Sequence, residues 1–258
     1  MVTSMIPGSW VVQARSTPRA RIRLFCFPYA GAGASAFNAW SNQLPPDVDI
    51  CAVQLPGRET RQREKPFTRL APIIEVLAQA IVPFCDIPFA FFGHCMGALI
   101  AFELARRLSR SQEPGLHHLF VSGCRAPQLP GPEPFIHKLP EPDFMERLRE
   151  LKQTPEVLLQ DSELMSLFLP ALRADFSVWE TYDYSDGEPL NCPISAFGGS
   201  EDAKLEIEAV SLWRVQTRNS FTPRMLPGGH FFLHSSRTLL LRFITQDLRQ
   251  TLRRIHWG

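Results

Sequence analysis

Apolar positions along the chain gather into short strand-like runs, separated by longer stretches with helical periodicity. The runs are Ile22–Phe27, Val48–Val53, Phe89–Phe92, His118–Ser122, Ile194–Phe197 and Phe221–Leu226. Between them lie Ser35–Gln43, Arg69–Phe84, Cys95–Arg110, roughly Lys204–Gln216, and Ser235–Arg254. Strand and helix alternating in this way predict βαβ units and a mostly parallel sheet with helices on both faces. Right-handed crossovers then restrict the topology to a doubly wound α/β sheet.

One segment breaks the rhythm. Ala126 to Pro142 holds six prolines, and Pro142–Leu151 and Ser162–Tyr182 then read as amphipathic helices. This insertion, residues 126–189, carries no obvious strand. It is expected to form a helical lid over the strand ends of a core built from residues 1–125 and 190–258. A helical decoration with no role at the site is the alternative.

The 258 residues, 45% of them hydrophobic, suffice for one large domain or two small ones with a sizeable core. Lys plus Arg number 27 against 26 Asp plus Glu, and a net charge of +1 gives no support to a general nucleic-acid binder. The N-terminal stretch MVTSMIPGSWVVQARS has neither a basic nor a long apolar region, and no apolar run approaches the ~20 residues of a membrane span. Cysteines 26, 51, 85, 95, 124 and 192 form no CxxC or CxxxC pair, so neither a zinc site nor any other metal centre is expected. These features predict a cytoplasmic protein with no membrane or nucleic-acid partner.

The most informative segment is Phe89-Ala-Phe-Phe-Gly-His-Cys95-Met-Gly97, followed directly by an apolar helix. A strand running into G-x-C-x-G and then a helix is the context of a nucleophile elbow. The turn excludes bulk two residues either side of Cys95, and glycines 93 and 97 meet that need. A helix start beside the sulfur supplies backbone N–H groups and partial positive charge. A nucleophile of this kind needs a base, and the base an orienting carboxylate, in the chain order nucleophile, acid, histidine. His230 in Leu226-Pro-Gly-Gly-His230 follows a strand and precedes the last helix, as that order requires. His234 is its nearest rival; His94, His117, His118, His137 and His256 stand in other contexts. The acid comes from Phe197-Gly-Gly-Ser-Glu201-Asp202, where spacing alone leaves Glu201 beside Asp202. Oxyanion donors are expected from the backbone N–H of Met96 and from the small-residue loop Phe27-Pro-Tyr-Ala30-Gly-Ala-Gly-Ala-Ser35. That loop lacks GxxxxGK[ST] and misses the last glycine of GxGxxG, which argues against nucleotide binding.

Together these segments resemble the type II thioesterases of polyketide and non-ribosomal peptide assembly lines, a family that includes the medium-chain thioesterase acting with animal fatty acid synthase. The resemblance spans nearly the whole chain. It rests on Cys26-Phe-Pro-Tyr-Ala-Gly, Leu55-Pro-Gly-Arg-Glu-Thr-Arg61, Pro88 to Gly97, Leu169-Pro-Ala-Leu-Arg-Ala-Asp175, Phe197 to Asp202 and Leu226 to Phe232. It implies an α/β-hydrolase fold, a triad of Cys95, Asp202 and His230, oxyanion donors at Ala30 and Met96, and a mobile lid at 126–189. It further implies hydrolysis of acyl thioesters on the phosphopantetheine arm of an acyl or peptidyl carrier protein, with no cofactor of the chain's own. Most members carry serine where this chain has Cys95. With cysteine the acyl-enzyme is itself a thioester, so loading is nearly isoenergetic and a thiolate–imidazolium pair with His230 is favoured. Acyl or aminoacyl transfer to a second carrier thiol is therefore the alternative, and a non-catalytic carrier-binding module the third reading. Two basic clusters suit an acidic carrier, or are simply solvated: Arg58, Arg61, Arg63, Lys65 and Arg69, and Arg242, Arg249, Arg253 and Arg254.

Overall fold

The computed structural model describes residues 9–13, 17–110, 115–131, 134–151 and 162–255. Its strands are β1 (Val11–Gln13), β2 (Ile22–Phe27), β3 (Val48–Val53), β4 (Phe89–His94), β5 (Leu119–Ser122), β6 (Ile194–Gly199) and β7 (Phe221–Leu226). They form a sheet of order β1-β3-β2-β4-β5-β6-β7 in which only β1 runs antiparallel. This is the α/β-hydrolase fold. The predicted runs coincide with β2 to β7, and β4 and β6 each continue two residues further. Their polar or glycine ends stay in register, with Phe27 opposite Gly93 and Gly199 opposite Leu226. The edge strand β1 is not predicted: three residues are too few to show a pattern, and its order comes from pairing with β3.

The helices are α1 (Leu70–Ala80), α2 (Met96–Leu108), α3 (Glu141–Leu151), α4 (Ser162–Glu180), α5 (Ile207–Ser211), α6 (Phe232–Ser235) and α7 (Arg237–Ile255). Predicted helix Ser35–Gln43 is instead a 3₁₀ turn over Ala34–Trp40, and Lys204–Gln216 shortens to α5 with a 3₁₀ turn over Leu212–Gln216. Arg69–Phe84 divides into α1 and a 3₁₀ turn at Val82–Phe84, where Pro83 cannot supply the N–H that a continued helix needs.

Successive residues of a strand face opposite sides, and β4 shows the consequence. Phe91 joins a core with Phe25, Leu104 and Trp213 under α1 and α2; Phe92 joins another with Phe37, Trp40 and Ile244 under α7. Beneath α7 a buried polar network ties helix to sheet. His118 bonds Thr251 Oγ1 at 2.9 Å and Ser195 Oγ at 3.0 Å; Asp247 accepts from Ser195 and from both terminal nitrogens of Arg224 at 2.6–2.9 Å. Burial pushes His118 down to about 4, so it serves this network as a neutral ring. The insertion contributes a third apolar cluster, in which Phe144 and Leu148 of α3 pack with Leu172 and Phe176 of α4. Among its described residues, 126–189 contains no strand.

Candidate active site

β4 ends in the centre of the sheet, and its last residues throw Cys95 onto the turn that starts α2. Cys95 has φ +54°, a left-handed conformation that costs a non-glycine residue energy and that strand–turn–helix nucleophiles adopt. The flanking glycines are sterically required. A Cβ at Gly93 would stand 2.2 Å from the Gly97 carbonyl oxygen, and one at Gly97 would stand 2.2 Å from that of Phe27. The turn is pinned further by the Cys95 N–H, which donates to Ser122 O at 2.8 Å. Met96 is the first residue of α2, so its N–H has no acceptor within the helix.

The loops after β6 and β7 bring acid and base together. His230 Nδ1–H donates to Asp202 Oδ2 at 2.8 Å, and both side chains are buried. Asp202 also accepts the Lys204 N–H at 3.1 Å. Glu201, by contrast, is exposed, and His234 is exposed with its Nε2 on the Tyr29 hydroxyl at 3.1 Å. Burial opposes charge on His230, but the hydrogen bond to Asp202 and the nearness of Cys95 outweigh it and raise its pKa to about 9. Burial pushes Asp202 up, and its bond to His230 more than reverses this, holding it below the ordinary carboxylate value. His230 Nε2 is buried and meets no partner in full hydrogen-bond geometry among the described residues, while Cys95 lies near enough to favour its cation. His94, also buried, packs 5.1 Å from His230 between ring centroids and bonds Ser122 Oγ at 2.9 Å. Burial pushes its pKa well below 6.5, leaving a neutral wall to the base. His256 lies outside the described residues.

Cys95, Asp202 and His230 line one cavity of about 200 Å³, closed by Ile136, Leu151, Phe176 and Trp179 from the insertion. Ala30 and Met96 are not among its lining residues. They flank the elbow instead: β2 is the neighbour of β4, so the Ala30 loop leaves the sheet beside the Cys95 turn, and Ala30 packs on the insertion's apolar cluster. All six cysteines are free thiols. Burial raises Cys51 and Cys192 to about 12 and pushes Cys26 and Cys124 upward as well, so these four stay protonated.

The first basic cluster is not one surface. Arg58 is buried in a bidentate pair with Asp175, and Arg61 is buried on Glu64 and over the Trp10 ring. Both are structural, and neither offers a docking charge. Sequence reading missed these partnerships, as well as Gln54 and Glu59, which hold the Ala30 loop. The second cluster is exposed, and Arg242, Arg249 and Arg253 line an open groove of about 650 Å³ along α7 that shares no residue with the Cys95 cavity. Among the described residues no helix is long and apolar enough to cross a membrane.

Comparison with known proteins agrees with this fold. The family profile described as a thioesterase domain matches residues 22–248. The gramicidin S biosynthesis protein GrsT of Aneurinibacillus migulanus is 49% identical over 245 residues, which is 95% of this chain and 96% of that protein. Among solved structures, the RedJ thioesterase from the prodiginine pathway of Streptomyces coelicolor is 40% identical with a TM-score of 0.83, covering 90% of this chain and 87% of that one. The type II thioesterase BorB from the borrelidin biosynthetic cluster is 35% identical with a TM-score of 0.85, covering 96% of this chain and all (100%) of its own. With the elbow, the buried His230–Asp202 pair and the matching sheet in place, the chain belongs to the thioesterase family and is a thioester hydrolase.

Proposed function

We propose that this chain is a type II thioesterase that releases acyl groups from the phosphopantetheine arm of acyl or peptidyl carrier proteins, through an acyl intermediate on Cys95. The observation that carries the reading is the buried His230–Asp202 pair, whose unpartnered Nε2 shares a cavity with a thiol on a strained elbow. The Cys95 thiolate attacks the thioester carbonyl carbon, and the oxyanion is received by the N–H groups of Ala30 and Met96. Collapse breaks the carbon–sulfur bond to the arm, whose sulfur takes the proton from His230 Nε2. Water then loses a proton to His230 as it attacks the acyl-Cys95 carbonyl. Collapse of that intermediate frees the acid and regenerates the thiolate–imidazolium pair. Asp202 holds the ring and stabilises its cation throughout. The insertion 126–189 serves as the lid that closes over the acyl group, and the chain brings no cofactor of its own.

The cysteine favours one second reading, transfer to another carrier thiol, because a thioester intermediate returns its acyl group to thiols without an uphill step. The two separate in one experiment. A carrier bearing a radiolabelled acyl group is mixed with the protein and quenched early for intact mass. An adduct on Cys95 that neutral hydroxylamine releases supports either chemistry, and its absence removes both. Chasing the adduct with unloaded carrier should return the label mostly as free acid. Efficient transfer to the second carrier, lost in Cys95→Ser, would establish the transferase instead.

A further inference from the structure

The loop that follows β2 is held from outside by four side chains. Gln54 Oε1 accepts the Ala34 N–H at 2.9 Å, and Glu59 accepts the Ser35 hydroxyl at 2.6 Å. Arg58 Nη1 donates to Ala32 O at 3.2 Å, and Asp175 Oδ2 accepts the Gly31 N–H at 2.7 Å. Of these four, Asp175 alone comes from the insertion. It sits on α4 and meets Arg58 in a two-pronged pair, Oδ2 to Nη1 at 2.5 Å and Oδ1 to Nη2 at 2.8 Å, with both side chains 2% exposed. Gly31 has φ +79°, and a Cβ there would meet Leu172 Cδ1 of α4 at 3.0 Å, so the helix lies directly on this peptide.

A buried ion pair is an inefficient way to add stability, since an apolar pair of similar volume avoids the desolvation penalty. An apolar pair could not, however, accept the Gly31 N–H. That N–H belongs to the peptide unit joining Ala30 to Gly31, next along the backbone from the Ala30 N–H. We infer that Asp175 is a positioning residue: it fixes the peptide plane beside Ala30 and thereby makes the oxyanion donor depend on the docking of α4. A site with α4 undocked then binds substrate but turns it over poorly, which couples closure of the insertion to chemistry. The inference rests on the proposed role of the Ala30 N–H.

The test replaces the pair in two ways and compares two reactions at Cys95. Arg58→Met/Asp175→Leu removes both charges and the acceptor, whereas Arg58→Met/Asp175→Asn removes the charges and keeps an acceptor oxygen. Turnover of an acyl-pantetheine thioester passes through an oxyanion; alkylation of Cys95 by iodoacetamide does not. The leucine pair should lower kcat by roughly tenfold to a hundredfold with KM and alkylation rate unchanged, and the asparagine pair should recover most of kcat. Full kcat in the leucine pair, or an equal loss of alkylation, would overturn the inference. Should the leucine pair not fold, amide exchange of the wild type decides: Gly31 must open together with residues 171–176, and independent opening removes the coupling. Cys95→Ala isolates the underlying reading. Turnover surviving in that variant sinks the proposed chemistry itself, whereas its loss beside a fully active leucine pair sinks only the role of Asp175.

Discussion

His230 is pulled in opposite directions by burial, which disfavours its cation, and by Asp202 and Cys95, which favour it, and the second influence wins. In the proposed mechanism, replacing His230 with alanine removes the proton carrier, whereas Asp202→Asn leaves the carrier but loses its orientation and charge. Both should depress kcat on an acyl-pantetheine thioester by on the order of a thousandfold or more, His230→Ala the further. An intact rate in Asp202→Asn together with a lost one in Glu201→Gln would reassign the acid. The same balance sets a pH dependence of stability. His230 has a folded pKa of about 9, above the ~6.5 of an unfolded histidine, so folding binds a proton there. Its contribution is complete below about pH 6.5 and is lost as pH rises through about 9. The stability difference between wild type and His230→Gln, measured by denaturant unfolding, should therefore shrink from pH 6.5 to pH 9.5. A difference that grows over that range would contradict the assignment.

The elbow shows how an element is specified by what it excludes. Gly97 in α2 faces the carbonyl oxygens of Phe27 and Pro28, which a Cβ would meet at 2.2 and 2.6 Å. These are backbone atoms of β2 and of the loop that leads to Ala30, so no rotamer relieves the contact. Gly97→Ala should cost about 3 kcal/mol or more, or prevent folding, by thermal or denaturant unfolding. Gly115, where an added Cβ would meet nothing within 4 Å, is the control and should tolerate alanine within about 1 kcal/mol. The elbow is legible in the sequence because its constraint is local: strand, G-x-C-x-G and helix lie within about twenty residues of each other. The same holds for β2 to β7, each a short local run, whereas the meeting of His230 with Asp202 is seen only in the fold. The pattern does not distinguish 3₁₀ from α geometry, since Ala34–Trp40 buries Phe37 and Trp40 at a spacing both helices satisfy. Arg58 reads in sequence as part of a basic face because its partner Asp175 is 117 residues away, and nothing near Arg58 reports that pairing. His118 is a similar case, explained only when β5, β6 and α7 meet.

At the scale of the whole molecule, two apolar cores grip the sheet from its two faces, and the third belongs to the insertion. The three differ in what anchors them. Helix α7 is tied to the sheet by a buried charge network as well as by Leu240, Ile244 and Leu248. Helix α4 is tied to the body through Asp175 on Arg58 and Gly31, and through Ser177 Oγ, which donates to Thr68 O at 3.2 Å. Among the described residues, helix α3 buries Phe144 and Leu148 in the cluster centred on the insertion, so its stability is borrowed chiefly from α4. Local opening follows such differences in anchorage. Amide exchange should therefore run fastest in α3, slower in the Ala171–Glu180 half of α4, and slowest in β4 and β5. If residues 126–189 close over the acyl group, binding a loaded carrier should slow α3 most, because it has the most protection to gain. The measurement is hydrogen–deuterium exchange with and without an acyl carrier on the Cys95→Ala variant, which the proposed mechanism leaves unable to turn the substrate over. Protection of α3 equal to that of β4, and unchanged by the carrier, would make the insertion a rigid cover and leave Asp175 with nothing to couple.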